Sequence, residues 1–403
     1  MTFVIYGFSF PPNRDAESYC TSRFASALAR FGHDVYVVAP EWSSAMPNDI
    51  YSFLVDHRLH VTRVPMRNSI FSQLWSRIRY FTHEHESANI ALSVKVIRGI
   101  LKNNPGAVLV TRSSPFLSLI VGWMCRKEAT AWIAHFSDPL SLLPRGTFWS
   151  EIRYLSMRMW INRAIRDSDA ISLTCENVKN YYESYHGRFW RNAISFVTNH
   201  IGDPVLPCKS HYDRPGSDIR LIAHAGYLNE LRSAGLILSS IRRLKDDGVN
   251  LKFLQCGRVD DYTSRLIANS PDCAEIINEQ APDIATAVCA IADVVVIADQ
   301  DTDLGYIPFL PSKFAYQIFT ETPIVVLSRV NSAMANYCKK YPLAGLFFAE
   351  IGKTSDLRDA IVQALSCSRA QIDREHIRIE FSQKGVAKLF AMQARKILAA
   401  KKG

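Results

Sequence analysis

The chain has 403 residues, 48% of them hydrophobic and 21% charged, a globular composition too long for one ordinary core. Its net charge of +9 is uneven, with +7 in residues 1–200 and +2 in the remainder; this points to an anionic partner for the first half, whether a membrane surface, a nucleic acid or an acidic acceptor. No segment reaches the roughly 18 uninterrupted apolar residues of a membrane span, and nine scattered cysteines without a Cys-x-x-Cys pair fit a reducing cytosol and give neither a disulfide framework nor a zinc site.

Residues 3–8 read as a buried strand and not as a signal peptide, because no basic residue precedes the apolar run. A loop follows, then a helix from Ser18 to Phe31 with Phe24, Leu28 and Phe31 on one face, ended by Gly32-His33-Asp34. Residues 35–40 are the second strand, so the chain opens as an α/β unit. No G-x-G-x-x-G follows the first strand, which disfavours a dinucleotide-dependent oxidoreductase.

Two segments combine apolar residues at helical spacing with arginines. Within residues 66–102, Ile70, Phe71, Leu74, Trp75, Ile78 and Phe81 recur beside Arg67, Arg77 and Arg79. In Trp149 to Arg166, Ile152, Leu155, Met159 and Trp160 alternate with Arg153, Arg158, Arg163 and Arg166. Basic amphipathic helices with tryptophan suit a membrane interface, and they equally suit helices that cover a sheet and leave arginines in water.

Strands are expected at 107–111, 131–135, 170–174 and 194–198. His135 and Asp138 sit just past a strand end, where a side chain can take or hold a proton; an Asp before Pro139 is also an ordinary turn former. Residues 204–218 are rich in proline, glycine and charge and read as a linker. A second α/β domain then opens with a strand at 219–224, the loop Ala225-Gly226-Tyr227 and a helix over 233–245. Strands follow at 251–255, 275–278, 294–297, 324–327 and 346–350, then helices over 355–366 and 382–400.

Residues 288–326 read as strand, loop, helix, strand. Pro311 suits the first helical position, and the helix should run to about Thr320 before Pro323. Ser312 and Lys313 would then place free N–H groups, a helix dipole and an ammonium at the mouth of a parallel sheet, where α/β proteins take phosphate-bearing ligands. Asp299, Asp301 and Asp303 have the look of a cation cluster, although Asp-rich loops are usually solvated.

The run Ala292-Asp293, Leu310-Pro311-Ser312-Lys313 and Thr322-Pro323-Ile324-Val325 resembles the pattern of nucleotide-sugar glycosyltransferases of the GT-B fold, family 4-like group. The order of strand ends, with His135-Phe136-Ser137-Asp138, Thr174-Cys175-Glu176 and Asn199-His200-Ile201-Gly202-Asp203, is similar to that family's first domain. The resemblance implies two doubly wound Rossmann-like domains facing across a cleft. The first would span residues 1–205 and be completed by helix 382–403; the second, nucleotide-sugar-binding domain would span 206–381. It implies transfer of a sugar from a nucleoside-diphosphate sugar to a glycan or lipid-linked acceptor, with retention, in cell-surface polysaccharide or glycoconjugate biosynthesis, on the cytoplasmic side and in peripheral contact with anionic membrane. The donor is the only small molecule implied, with no separate cofactor, metal or nucleic acid.

Residue by residue, the resemblance assigns catalytic roles to His135, Asp138 and Arg232. Donor contacts fall on Gly226, Tyr227, Gly257, Ser312, Lys313 and Tyr316, and acceptor-side contacts on Asn13, Arg14 and Glu176. Two positions depart from the family: Tyr227 stands where it has an arginine, and Tyr316 where a glutamate binds the ribose. A tyrosine hydroxyl cannot accept two ribose hydroxyls as a carboxylate can. These departures support an alternative, a GT-B-shaped scaffold or binding partner in a polysaccharide-assembly complex with a decayed donor site. Nucleic-acid binding has no motif behind it.

Overall fold

The structure is a computed structural model. It describes residues 1–13, 15–41, 56–66, 90–112, 117–139, 148–204, 212, 214, 216, 218–277, 282–302 and 304–401. Arg14, Asp303, the 67–89 part of the first basic segment and most of the 204–218 linker lie outside the described residues. The chain forms two compact units, Met1–His200 with Gln383–Gly403, and Ile201–Ser382. Among the described residues, no helix is long and apolar enough to cross a membrane.

The first unit is built on a seven-stranded parallel sheet: β1 (Thr2–Gly7), β2 (Asp34–Glu41), β3 (Leu59–Pro65), β4 (Val108–Arg112), β5 (Ala131–Phe136), β6 (Ala170–Leu173) and β7 (Ser195–Val197). Their order is β3-β2-β1-β4-β5-β6-β7, so the winding reverses between β1 and β4. Strands β4 and β5 are buried along their whole length, which is why they read as unbroken apolar runs. Helices α1 (Ala16–Arg30), α2 (Ile90–Asn103), α3 (Leu117–Cys125), α4 (Phe148–Asp167) and α5 (Glu176–Trp190) connect them. Asp15 caps α1, accepting a bond from the Ser18 N–H at 2.6 Å. The C-terminal helix Gln383–Ala400 buries Val386, Phe390, Ala394 and Ile397 in this same unit. The Phe390 ring meets Phe24 edge-on at 4.8 Å and lies 5.6 Å from Phe196.

Helix α4 is oriented differently from the simplest reading of its pattern. Its buried row is Tyr154, Met157, Ile161, Ala164 and Ile165, while Leu155 and Met159 face outward beside Arg158 and Arg166. Two apolar rows on one helix explain the ambiguity, and only one of them can reach the sheet.

The second unit holds a six-stranded parallel sheet: β8 (Arg220–Ala225), β9 (Leu251–Cys256), β10 (Ala274–Ile277), β11 (Val294–Ala298), β12 (Ile324–Ser328) and β13 (Leu346–Glu350). The order β10-β9-β8-β11-β12-β13 reverses between β8 and β11. Its helices are α6 (Ala234–Asp246), α7 (Asp261–Ala268), α8 (Pro282–Ala290), α9 (Ser312–Gln317), α10 (Ala333–Lys340), α11 (Thr354–Ser366) and α12 (Glu375–Phe381). Ile237 and Ile241 of α6 share one core with Leu357 and Ile361 of α11 and with Val294, Val296 and Val325 of the sheet. Both units are parallel-sheet α/β domains whose strands are joined mostly through helices, the doubly wound class that the sequence implies.

Two expectations about the central stretch are corrected. Pro311 is extended (φ −62°, ψ 132°) and caps α9 from outside the helix instead of occupying its first turn. The helix also stops at Gln317, not near Thr320, because the chain tightens into i→i+3 bonds at Phe319 and Thr320. The buried Arg374 takes the carbonyls released there: its guanidinium donates to Gln317 O at 3.2 Å, Thr320 O at 2.6 Å and Thr322 O at 2.8 Å.

Candidate functional site

All six strands of the second sheet run the same way, so their C-terminal ends share one edge, and the order reverses between β8 and β11, the position at which doubly wound sheets take ligands. Strand β8 ends in His224 and Ala225 and is followed by Gly226; β9 ends in Gln255 and Cys256 and is followed by Gly257. Gly226 has φ +96° and Gly257 φ +131°, conformations that side-chain-bearing residues rarely adopt. A Cβ on Gly257 would also stand 2.7 Å from the Gly226 carbonyl oxygen, so the two turns pack backbone to backbone.

Lys313, in the first turn of α9, reaches this edge: its Nζ lies 2.8 Å from Nε2 of the fully buried His224. Burial, and then the charge of Arg232, hold the Lys313 ammonium well below the usual lysine range. Arg232 closes a short 3₁₀ turn, Glu230–Arg232, whose Asn229 cap accepts the Arg232 N–H at 3.0 Å. Its guanidinium donates to the Ala298 carbonyl at 3.2 Å, at the end of β11. Ser233, next in sequence, has φ +57°, the one non-glycine residue with positive φ among the described residues. Strain of that kind concentrates at functional loops.

Asp299 follows β11 and is wholly buried. One carboxyl oxygen accepts from Ser328 Oγ at 2.5 Å and the other makes no hydrogen bond among the described residues. Burial pushes its pKa up to about 7, against the pull of Ser328, Arg232 and Lys313. Asp301 pairs instead with Arg329 at 2.6 Å. The two aspartates therefore have separate partners, and no group of three or more metal-ligating side chains occurs among the described residues.

The structure thus brings Gly226, Gly257, Lys313 and Arg232 to one edge and adds His224, Gln255 and Ser328, which the sequence does not single out, and Asp299, which the sequence offers only as part of a cation cluster. The remaining positions differ in what they present. Tyr227 is half exposed, Ser312 is partly exposed, and Tyr316 is buried, with little surface for a ligand. At six residues, α9 also has less dipole to offer an anion than a longer helix.

In the first unit, His135 and Asp138 share a strand end and have different surroundings. His135 is buried, with Nδ1 3.0 Å from Ser172 Oγ. Burial, then the charges of Arg112 and His200, push its pKa well down, so the ring is neutral. Asp138 is exposed, and its backbone carbonyl accepts from the Tyr182 hydroxyl at 3.0 Å. Glu176 is exposed in the first turn of α5, 3.8 Å from Lys179. Asn13 donates to Asp15 at 2.7 Å and so braces the cap of α1. The same edge holds a buried ion pair that spacing could not reveal: Arg112 Nε donates to Glu17 Oε1 at 2.8 Å across 95 residues.

Comparison of the folded chain with solved structures gives full-length matches. Sucrose-phosphate synthase from Thermosynechococcus elongatus covers 99% of this chain and all of its own, with a TM-score of 0.68 at 12% identity. HepE of Anabaena, in complex with UDP and glucose, covers 98% of this chain and 100% of its own (TM-score 0.67, 12% identity). A TarM mutant of S. aureus, bound to UDP among other ligands, covers 98% and 99% (TM-score 0.66, 9% identity). The chain therefore has the GT-B fold of these glycosyltransferases. No family model and no curated protein matches its sequence.

Proposed function

We propose that the chain is a glycosyltransferase whose second unit holds a nucleoside-diphosphate sugar at the C-terminal edge of its sheet. The observation that carries this reading is the pair of cations, Lys313 and Arg232, gathered around the glycine turn at Gly226 with Lys313 partly desolvated. Two such cations suit a diphosphate in the ground state and suit it better as it departs with increasing negative charge. The sugar passes to a glycan or lipid-linked acceptor with retention of configuration, in glycoconjugate biosynthesis at the cytoplasmic face. On the acceptor side we assign to Asp138, exposed just past the end of β5, the orienting or deprotonation of an attacking hydroxyl. The outward row of α4 supports peripheral contact with anionic membrane: Leu155, Met159, Arg158 and Arg166 line an open groove of ≈ 450 Å³.

The buried Tyr316, where the resembling family has a ribose-binding glutamate, favours the scaffold alternative, and one experiment separates the two. Thermal melts run with UDP, GDP, ADP and their sugars should show stabilisation by one base class, lost in Lys313→Ala. At a ligand concentration of about 100 Kd, the stabilisation is roughly 2.7 kcal/mol. A folded wild type that no nucleotide stabilises would reject the donor site and leave the scaffold.

A further inference from the structure

Side chains at the edge of the second sheet form a hydrogen-bonded relay with one permitted direction. It begins at a backbone carbonyl. Gly226 O accepts from Gln255 Nε2 at 2.7 Å, and Arg258 O stands 3.5 Å from the same nitrogen. Carbonyl oxygens only accept, so the Gln255 amide must turn its nitrogen toward them and its oxygen away. That oxygen faces His224 Nδ1 at 2.8 Å, a contact produced by the register that pairs His224 with Gln255 across β8 and β9. Facing an acceptor, Nδ1 must carry the proton. Burial, then the charge of Lys313, keep the ring neutral, so Nε2 carries a lone pair. Lys313 Nζ, at 2.8 Å, then donates to it.

We propose that His224 is a positioning residue for Lys313, with Gln255 fixing its tautomer, and that the relay aims the Lys313 ammonium at a diphosphate. The inference rests on the donor-site reading and deepens it. Lys313 has three N–H donors; one is given to His224 and two remain for an anion. A neutral acceptor holds the ammonium without cancelling its charge, as a carboxylate in that place would. The lysine stem passes Gly226, where an added Cβ would stand 4.0 Å from Lys313 Cδ, an ordinary van der Waals contact, so the glycine serves its φ of +96° and not the room for the lysine. The charged groups that act on His224 are Lys313 and Arg232, both cations, and neither can replace it as an acceptor.

Two measurements on the full chain test this. The first is the nitrogen spectrum of histidine-labelled protein, with His224→Phe used for assignment. The relay requires a neutral His224 ring protonated at Nδ1; an Nε2-protonated ring or an imidazolium overturns it, whether or not any nucleotide binds. The second is calorimetric titration with UDP, GDP, ADP and inorganic pyrophosphate of wild type, His224→Phe, His224→Gln, Lys313→Ala and the double variant His224→Phe/Lys313→Ala. Loss of one hydrogen bond to a charged group predicts roughly ten- to hundredfold weaker binding in His224→Phe. His224→Gln, which restores an acceptor oxygen, should recover most of it. The double variant should bind no more weakly than Lys313→Ala, because His224 acts only through Lys313. Undiminished binding by a folded His224→Phe, or additive losses in the double variant, overturns the positioning role. A wild type that binds none of the four probes rejects the donor site and with it the purpose of the relay, while the tautomer still decides whether the relay exists.

Discussion

Asp299 shows how a single buried group sets the behaviour of the candidate site. Its carboxyl is raised to about 7, so between the ordinary carboxylate pKa and neutrality the folded state keeps a proton that the unfolded state has released. Stability from this group is fully present at low pH and is lost as pH rises through the folded value. The whole effect is at most about 4 kcal/mol, since each tenfold change in proton affinity is worth about 1.4 kcal/mol. Asp299→Asn keeps the shape and an acceptor for Ser328, and it removes the titration. The variant should melt higher than wild type at pH 8 and level with it near pH 4; an equal difference at both pH values would contradict the account. Neither Asp299 nor His224 stands out in the sequence as part of this site. Asp299 reads as one of three aspartates in an acidic loop, and His224 closes an apolar strand, where a histidine is usually a core residue. Their roles come from strand register and from contacts between segments far apart in the chain, 29 residues for Asp299 and Ser328 and 89 for His224 and Lys313, which local spacing does not encode.

At the scale of the element, the strand–loop–helix–strand of β11, α9 and β12 was legible because its signals are local. A β-branched run, a Pro before Ser-Lys and a Pro before the next strand each act within a few residues. The length of α9 was not legible, because its end is set from outside. Arg374, 2% exposed, donates to five carbonyl oxygens, among them those of Gln317, Thr320, Thr322 and Ala344. Burial lowers its pKa only to about 10, so it stays charged at neutral pH. Gly202 lies under the same helix, where a Cβ would fall 2.0 Å from the Ala315 carbonyl oxygen. Arg374→Met should lose roughly 3 kcal/mol or more, because several buried carbonyls lose their donor at once. Arg374→Lys should recover little of it, since an ammonium cannot fork across separate carbonyls. Denaturant unfolding measures both, and a stability change under about 0.5 kcal/mol, the range of ordinary surface substitutions, would show that the helix end is held by other means.

For the whole molecule, fold class was readable because two successive α/β patterns, each rich in buried apolar strands, admit few architectures. The C-terminal helix illustrates what remains beyond such patterns. Its apolar row is plain in the sequence, yet its burial beside Phe24 and Phe196 of the first unit is a matter of tertiary packing. The excess charge of residues 1–200 has a visible concentration in the outward arginines of α4. Arg158→Glu with Arg166→Glu should abolish sedimentation with phosphatidylglycerol vesicles at low salt and leave nucleotide binding intact. Wild-type protein that ignores such vesicles, or a double variant that still sediments, would remove the membrane from the account. The donor site itself is tested most directly by crystals grown with the nucleoside diphosphate that stabilises the protein most. The account predicts phosphate oxygens about 3 Å from Lys313 Nζ, with the Arg232 guanidinium on the same diphosphate. A nucleotide bound elsewhere, or one that reaches this edge without touching Lys313, would contradict it.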